Sequence, residues 1–494
     1  MVSGTVKQSI STPVPGFAGP LPPERFNLSR YCLQNSTNRH PDKTALIICN
    51  DANDPNSAER WTFQQIEDVV LRLAAGLLTT GLRRGDRLFI RMGNSIDYAL
   101  TFFAANAAGL VPVPASTQLS VREVALLVKD CGASAIAFDG TLPLPDLPAD
   151  IVHLDLPQLN RLKITQPGRY CDTGKDDPAF LIYTSGTTST PKGVLHAQRA
   201  VWGRRPMYRD WYDMSEDDRL LHTGAFNWTY TLGTGLFDQW ANGATSIVYT
   251  GPKDITIWPR LIEIWHPTIL AAVPSLYRQI LKYCELSNHD LSSLRHCLTA
   301  GEPLPENIRK NWFDQTGLTL SEALGMSEIS TYISTSPARA SKRSSPGMPQ
   351  TGRCVAILPE TGGTTPLPHD HTGIIAIHTS DPGLMLGYWN RPDEEAAARR
   401  GDWFLTGDLA AMDEEGFIWF GGRNDDLMNA MGYRVSPVEV ETILEQHPAI
   451  DHAGVCAITV GEDIEIIAAF LTPVEDHDID IDDVSGFAVE RLAA

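Results

Sequence analysis

Residues 183–193 read Y-T-S-G-T-T-S-T-P-K-G, and the apolar run Ala179, Phe180, Leu181 and Ile182 leads straight into them. Hydroxyls, small residues and one lysine therefore leave the end of a predicted buried strand together. That combination holds phosphate. Small residues let backbone N–H groups approach the oxygens, Ser and Thr hydroxyls donate further hydrogen bonds, and Lys192 adds a compact positive charge. A nucleotide triphosphate is the natural guest. The common P-loop pattern needs glycine just before the lysine and Ser or Thr just after it. Here Pro191 and Gly193 flank Lys192, so that pattern is not met. A Ser/Thr/Gly-rich surface linker is the alternative, and the leading strand and the fixed order argue against it.

Charge restricts the partners. Lys and Arg number 40 against 60 Asp and Glu, a net charge of −20. Nucleic acid and acidic membrane surfaces need a basic face, so neither is expected as a partner. An anionic substrate must then be held by local groups and metal. The eight cysteines never fall in C-x-x-C spacing, which leaves no zinc or redox signature. They read as scattered buried thiols in a reducing compartment, and a cytoplasmic location is expected. Residues 1–23 are rich in Pro, Gly, Ser and Thr without an apolar core, unlike a secretory signal. The longest uncharged apolar run, 98–115, is broken by Gly109, Pro112 and Pro114. It is also short of the roughly 20 residues that cross a bilayer, so a buried helix followed by a strand is expected. His369-Asp370-His371 and the acidic 475–483 stretch could suggest metal, but a turn and a solvated loop explain them better.

The 494 residues suffice for two to four domains or subdomains. Apolar patterning predicts strands at 44–49, 87–90, 111–113 and 135–138, with a helix opening at Trp61-Thr62-Phe63 and another at 121–131. Residues 140–177 are Pro- and Asp-rich and read as a connection with one short strand. Past Gly193, a helix at 198–211 is expected, with His196 near its first turn. Strands at 245–249, 268–273 and 294–300 then alternate with helices at 258–265 and 275–283. This alternation implies parallel sheets covered on both faces by helices. Residues 334–351 read as a loop, and 374–378, 403–405 and 417–420 as strands of a β-rich subdomain.

The 183–193 stretch resembles the phosphate-loop signature of the adenylate-forming superfamily, which includes acyl-CoA synthetases, luciferases and peptide-synthetase adenylation domains. Three further stretches share the resemblance. Ala323, Leu324, Gly325, Met326, Ser327 and Glu328 form A-L-G-M-S-E. By resemblance they approach the nucleotide ring, and Glu328 binds the Mg²⁺ that bridges the phosphates. Read alone, Glu328 is a helix N-terminal carboxylate. Thr406-Gly407-Asp408 resembles the T-G-D stretch whose Asp408 would accept both ribose hydroxyls; read alone, it is a turn. Residues 422–441, G-R-N-D-D-L-M-N-A-M-G-Y-R-V-S-P-V-E-V-E, place Arg423 at ribose and phosphate, Asp425 at the hinge and Arg434 near the phosphates. Many relatives carry lysine where Asn429 stands.

The resemblance further implies that Thr184, Ser185, Gly186, Thr187, Thr188 and Lys192 hold the phosphates of ATP, Thr184, Lys192, Glu328 and Arg434 being catalytic. Gly301 and Glu302 would bind cofactor, and Ala300, Gly301 and Gly325 would also line the acyl pocket. Trp228 would gate the carboxylate site, although a core aromatic reads equally well. Amino-acid-activating relatives place an Asp near this gate; Thr229 falls there, which disfavours an α-amino acid unless a shifted alignment brings in Asp238. The implied fold is α/β: a large domain over 1–424, made of two doubly wound α/β subdomains plus a β-rich one, then a small mobile α+β domain over 425–494 that is incomplete.

The implied reaction is ATP-dependent activation of a medium-chain or aromatic carboxylic acid as acyl-adenylate, with release of pyrophosphate and transfer to coenzyme A. A nucleotide or acyl-adenylate binding protein, or an enzyme loading a carrier-protein thiol, are the alternatives, and a homodimer is possible. The family's tail normally carries a lysine that holds the substrate carboxylate, whereas no lysine follows Lys342. A truncated C-terminus and weakened adenylation are therefore expected.

Overall fold

A computed structural model describes residues 16–184, 191–252, 254–424, 428–430, 433–461, 464–474, 477–489 and 491, with only the backbone of residues 429, 430, 433, 434, 459–461, 464 and 465. Nine strands form the largest sheet, in the order Met348–Pro349, Ser330–Ser334, Leu320–Met326, His296–Ala300, Ile269–Ala272, Arg219–His222, Thr245–Tyr249, Thr44–Cys49, Glu59–Thr62. The strands from Leu320–Met326 to Thr44–Cys49 run parallel, and antiparallel strands close both edges. A second, all-parallel sheet joins Val111–Pro114, Arg87–Arg91, Ala135–Phe138 and Val152–Leu154.

Alternate residues of one strand point to opposite faces, and here both faces are covered. Ile269 and Ala271 pack with Met207, Trp211 and Tyr212, while Leu270 and Ala272 pack with Trp258, Trp265 and Trp312. The near-continuous apolar strands are what a sheet buried on both faces requires. Local signals fix the helix starts. Thr62 and Gln65 form a reciprocal capping box at Phe63–Thr79, and Ser120 and Glu123 form another at Val121–Cys131. The apolar run at 98–115 resolves into the helix Ile96–Ala107 and the strand Val111–Pro114. Among the described residues no helix is long and apolar enough to cross a membrane.

Several expectations shift. Trp61 and Thr62 end a strand, and the helix begins only at Phe63. The 140–177 connection contains a helix, Leu156–Leu162, opened by an Asp155–Gln158 capping box. The 198–211 helix is 3₁₀ over Gln198–Arg204 before becoming α over Arg205–Asp210. His196 lies in the strand Lys192–Ala197 and not on a helix. All eight cysteines are free thiols, and Cys456 is exposed.

The β-rich part is an antiparallel sheet of Val355–Leu358, Gly373–His378, Trp403–Met412, Arg399–Arg400 and Ile418–Arg423. After it comes a smaller C-terminal unit with its own apolar cluster around Val440, Leu444, Ile450 and Val484. Its helix Pro437–Leu444 starts at Ser436, whose hydroxyl donates to the carbonyl of Gly421 at 2.6 Å.

The end of Arg219–His222 holds a buried histidine. His222 Nδ1 accepts the N–H of Gly224 at 3.0 Å, and burial lowers its pKa to about 3. The unfolded chain binds that proton near pH 6.5. Stability contributed by the neutral ring is therefore complete above pH 6.5 and falls as pH drops. Between pH 7 and pH 5 the chain should lose about 2 kcal/mol from this residue alone. Urea titrations across that range should show the loss, and His222→Asn should reduce it by about that amount, leaving the share of the similarly buried His196.

Candidate active site

The strands Pro178–Thr184 and Lys192–Ala197 form an antiparallel hairpin, with Thr184 opposite Lys192 and Tyr183 opposite Gly193. The lysine thus returns beside the strand end instead of opening a helix. Thr184 and Lys192 frame the loop; Ser185, Gly186, Thr187 and Thr188 lie outside the described residues. The short strand Gly387–Tyr388 pairs with Leu195 and Val194 on the hairpin's outer edge. This brings the Tyr388 ring to 5.7 Å from Lys192 Nζ, within range of a cation–π contact.

The Tyr388 hydroxyl donates to Glu328 Oε1 at 2.7 Å. Glu328 is only 9% exposed and sits in the turn between Leu320–Met326 and Ser330–Ser334. It caps no helix, so the reading of the isolated residue does not hold. Burial pushes its carboxyl above the ordinary value, against the opposing pull of the Tyr388 hydroxyl, Arg423 and Lys192. In the strand before it, Ala323 is buried and Leu324 and Met326 pack on the apolar cluster of the β-rich part. Gly325 is needed for the hairpin itself, since a Cβ there would stand 2.5 Å from Thr331 Cα. The close approach is to backbone of the paired strand.

Thr406-Gly407-Asp408 lies inside the strand Trp403–Met412, not in a turn. Gly407 has φ +80°, and its missing side chain leaves room for the Arg423 guanidinium, which a Cβ would meet at 3.1 Å. Asp408 is buried and pairs with Arg423 across the strands, Nη1 to Oδ1 3.3 Å. Arg423 also donates to the carbonyl of Thr406 at 3.2 Å. Asp425 lies outside the described residues, as does the side chain of Arg434.

Ala300 ends the strand His296–Ala300 and is buried, and Gly301 turns the chain with φ +95°. Glu302 is exposed, and its carboxylate accepts the N–H and hydroxyl of Ser275 at 3.1 and 3.0 Å, in the first turn of Pro274–Tyr283. A carboxylate there also suits the helix dipole. Trp228 is 57% exposed, which excludes the core-aromatic reading. Asp238 is fully buried and bound by Arg204, with Nη2 to Oδ2 at 2.6 Å, so it is not open to a substrate ammonium. Among the described residues no hydrogen bond joins Trp228, Gly301 or Glu302 to the Lys192, Tyr388 and Glu328 group.

Neither the contact of Tyr388 with Glu328 nor that of Arg204 with Asp238 was legible in the sequence. Tyr388 stands in L-G-Y-W-N-R-P, where Gly, paired aromatics and Pro signal a strand ending in a turn, but no chemistry.

A cationic lysine at a hydroxyl-rich loop, a buried carboxylate and an Asp–Arg pair across neighbouring strands are groups suited to a nucleotide's phosphates and sugar. The AMP-binding enzyme family matches residues 33–389, and the chain belongs to that family. It is 30% identical over 478 residues to acyl-coenzyme A synthetase ACSM5, mitochondrial, of Mus musculus, covering 91% of this chain and 81% of that one. It is 29% identical to the uncharacterized acyl-CoA ligase YtcI of Bacillus subtilis strain 168, covering 84% and 80%. The anthranilate CoA ligase AuaEII in complex with anthranoyl-AMP superposes with a TM-score of 0.83 at 26% identity, over 96% of this chain and 92% of that one. A benzoate CoA ligase from Burkholderia xenovorans LB400 gives 0.82 at 25%, over 95% and 94%.

Tyr388→Phe removes the hydroxyl that supports the buried carboxyl group, at a cost of about 1–3 kcal/mol for a buried acceptor left unpaired. Urea titrations of the variant should show that loss, and an unchanged stability would contradict the supporting role given to the hydroxyl.

Proposed function

We propose that the chain is an ATP-dependent acid–thiol ligase acting on a medium-chain or aromatic carboxylic acid. The substrate carboxylate attacks the α-phosphorus of ATP and pyrophosphate leaves. The thiol of coenzyme A then attacks the acyl carbonyl and AMP leaves. The observation that carries this reading is the convergence of Lys192, Tyr388-supported Glu328 and the Asp408–Arg423 pair, drawn from three separate sheets. The acyl-coenzyme A synthetases and acyl-CoA ligases among its relatives support the same chemistry.

In this reading Thr184, the hydroxyls at 185–188 and Lys192 hold the phosphates and stabilise the departing pyrophosphate. Little covalent chemistry falls to side chains, so positioning and charge do the work. Asp408 accepts the ribose hydroxyls, and Arg423 lies at ribose and phosphate. Trp228 gates the carboxylate, while Ala300, Gly301 and Gly325 border the acyl group. Residues 1–424 form the large domain and 425–494 the small one, turning about Asp425 to bring Arg434 to the phosphates. Among the described residues no cluster of three or more His, Cys, Asp or Glu forms a ready metal cage. Magnesium characteristically takes one or two carboxylates plus substrate phosphates, which suits the single buried Glu328. The ion would neutralise charge on the pyrophosphate.

The test is acid-dependent exchange of labelled pyrophosphate into ATP, followed by thioester formation with coenzyme A. Exchange should appear only with a matching acid, and Lys192→Ala should lower kcat by about 10²–10³-fold. ATP binding without exchange for any medium-chain or aromatic acid would favour a nucleotide-binding protein instead.

A further inference from the structure

Next to the Glu328 turn lies a narrow cavity of about 20 Å³. That is room for one water-sized group. Ser327, which precedes Glu328 in the chain, and Thr229, which follows Trp228, both line it. Its wall is largely apolar, with Phe180, Leu232 and Ile329, and its other polar members are His196, Arg204 and Ser330.

His196 is 4% exposed and stacks on Phe180, ring centroids 4.5 Å apart and planes within 16°. Its Nε2 lies 2.9 Å from the carbonyl of Ser327. A ring nitrogen facing a carbonyl must carry the hydrogen. Burial lowers the pKa of the ring to about 3, so it is neutral and Nδ1 is a bare acceptor. Among the described residues Nδ1 has no partner. A buried lone pair left unpaired costs about 1–3 kcal/mol, which a ligand donor recovers.

Arg204 supplies the complementary group. Asp238 accepts from Nε at 2.9 and 3.1 Å and from Nη2 at 2.6 Å. The Tyr212 hydroxyl takes Nη2 at 3.3 Å, and Nη1 donates to Ser330 Oγ. A guanidinium has five N–H donors, so among the described residues these contacts leave one Nη1–H. The pair is buried against Gly233, where a Cβ would come within 2.3 Å of the guanidinium. Because Asp238 neutralises Arg204, the cavity offers no free charge to a second carboxylate. It offers one acceptor and one donor.

We propose that the acid this chain activates carries a hydroxyl group that enters this cavity, donating to His196 Nδ1 and accepting from Arg204 Nη1. A hydroxyl meets both demands at once; a ketone only accepts and an ammonium only donates. The substrate class is therefore a hydroxy-substituted medium-chain or aromatic acid. The inference rests on the acyl-adenylate reading above.

The test uses matched pairs of non-hydrolysable acyl-sulfamoyl adenosines, which need no turnover. Benzoyl is compared with its 2-, 3- and 4-hydroxy forms, and hexanoyl with its hydroxy isomers, by calorimetry on the full chain. At least one hydroxylated analogue should bind tenfold or more tighter than its parent. His196→Phe should bring that ratio toward one, and His196→Asn, whose Oδ1 can take the place of Nδ1, should keep most of it. Equal affinities within every pair, or preference for the unsubstituted analogues, would overturn the proposal; this comparison stands on the unmodified protein if a variant fails to fold. Tighter binding of a hydroxylated analogue without pyrophosphate exchange would uphold the cavity assignment and refute the ligase reading.

Discussion

A carboxylate buried at the turn of a β-hairpin is the constraint on which this site depends. Glu328 is only 9% exposed, and burial raises its pKa. Taking such a charge out of water costs several kcal/mol unless partners repay it. Here the partners come from separate strands: Tyr388 from the edge of the phosphate hairpin, Lys192 from the hairpin itself and Arg423 from the β-rich sheet. The three sheets must meet for Glu328 to be tolerated. The same meeting assembles the candidate nucleotide site.

Two further buried ion pairs hold the surrounding walls. Arg204 and Asp238 link the 3₁₀ segment Gln198–Arg204 to the helix Asp238–Asn242. Arg353 binds Asp381 at 2.9 Å and also donates to the carbonyls of Gly203 and Thr331. Breaking a buried pair by removing one partner typically costs 3–5 kcal/mol, so these elements are fixed in place relative to one another. Rigid walls suit a cavity that accepts a single small group. Glycines serve the same end where backbones or charges crowd, as Gly325 does beside Thr331 and Gly233 beside Arg204.

Most of the parallel core was legible because period and length leave little freedom. Thr44–Cys49, Ala135–Phe138, Thr245–Tyr249 and the helix Val121–Cys131 fall where apolar patterning places them. The helix Leu156–Leu162 was hidden by Pro- and Asp-rich surroundings, although the Asp155–Gln158 capping box was present in the sequence. His196 was misplaced on a helix because the strand returning from the loop gives way to the 3₁₀ segment at Gln198, one residue after Ala197, and the strand's second neighbour, Gly387–Tyr388, lies nearly 200 residues away. Long-range pairing leaves no local signature. For the same reason the motifs pointed to Lys192, Glu328, Asp408 and Arg423, while Tyr388, which donates to Glu328, and the pairing of Arg204 with Asp238 emerged only from the fold. Asp238 illustrates the limit: its sequence position allows a substrate contact that its burial and pairing with Arg204 exclude.

The most direct measurement is a crystal structure of the full chain with an acyl-sulfamoyl adenosine and magnesium. The account predicts the adenylate between the Lys192–Ala197 hairpin and the Glu328 turn, its ribose hydroxyls on the Asp408 carboxylate and its sulfamoyl group facing Lys192. An adenylate bound elsewhere, or one seated there with its ribose away from Asp408 and its sulfamoyl group away from Lys192, would contradict it.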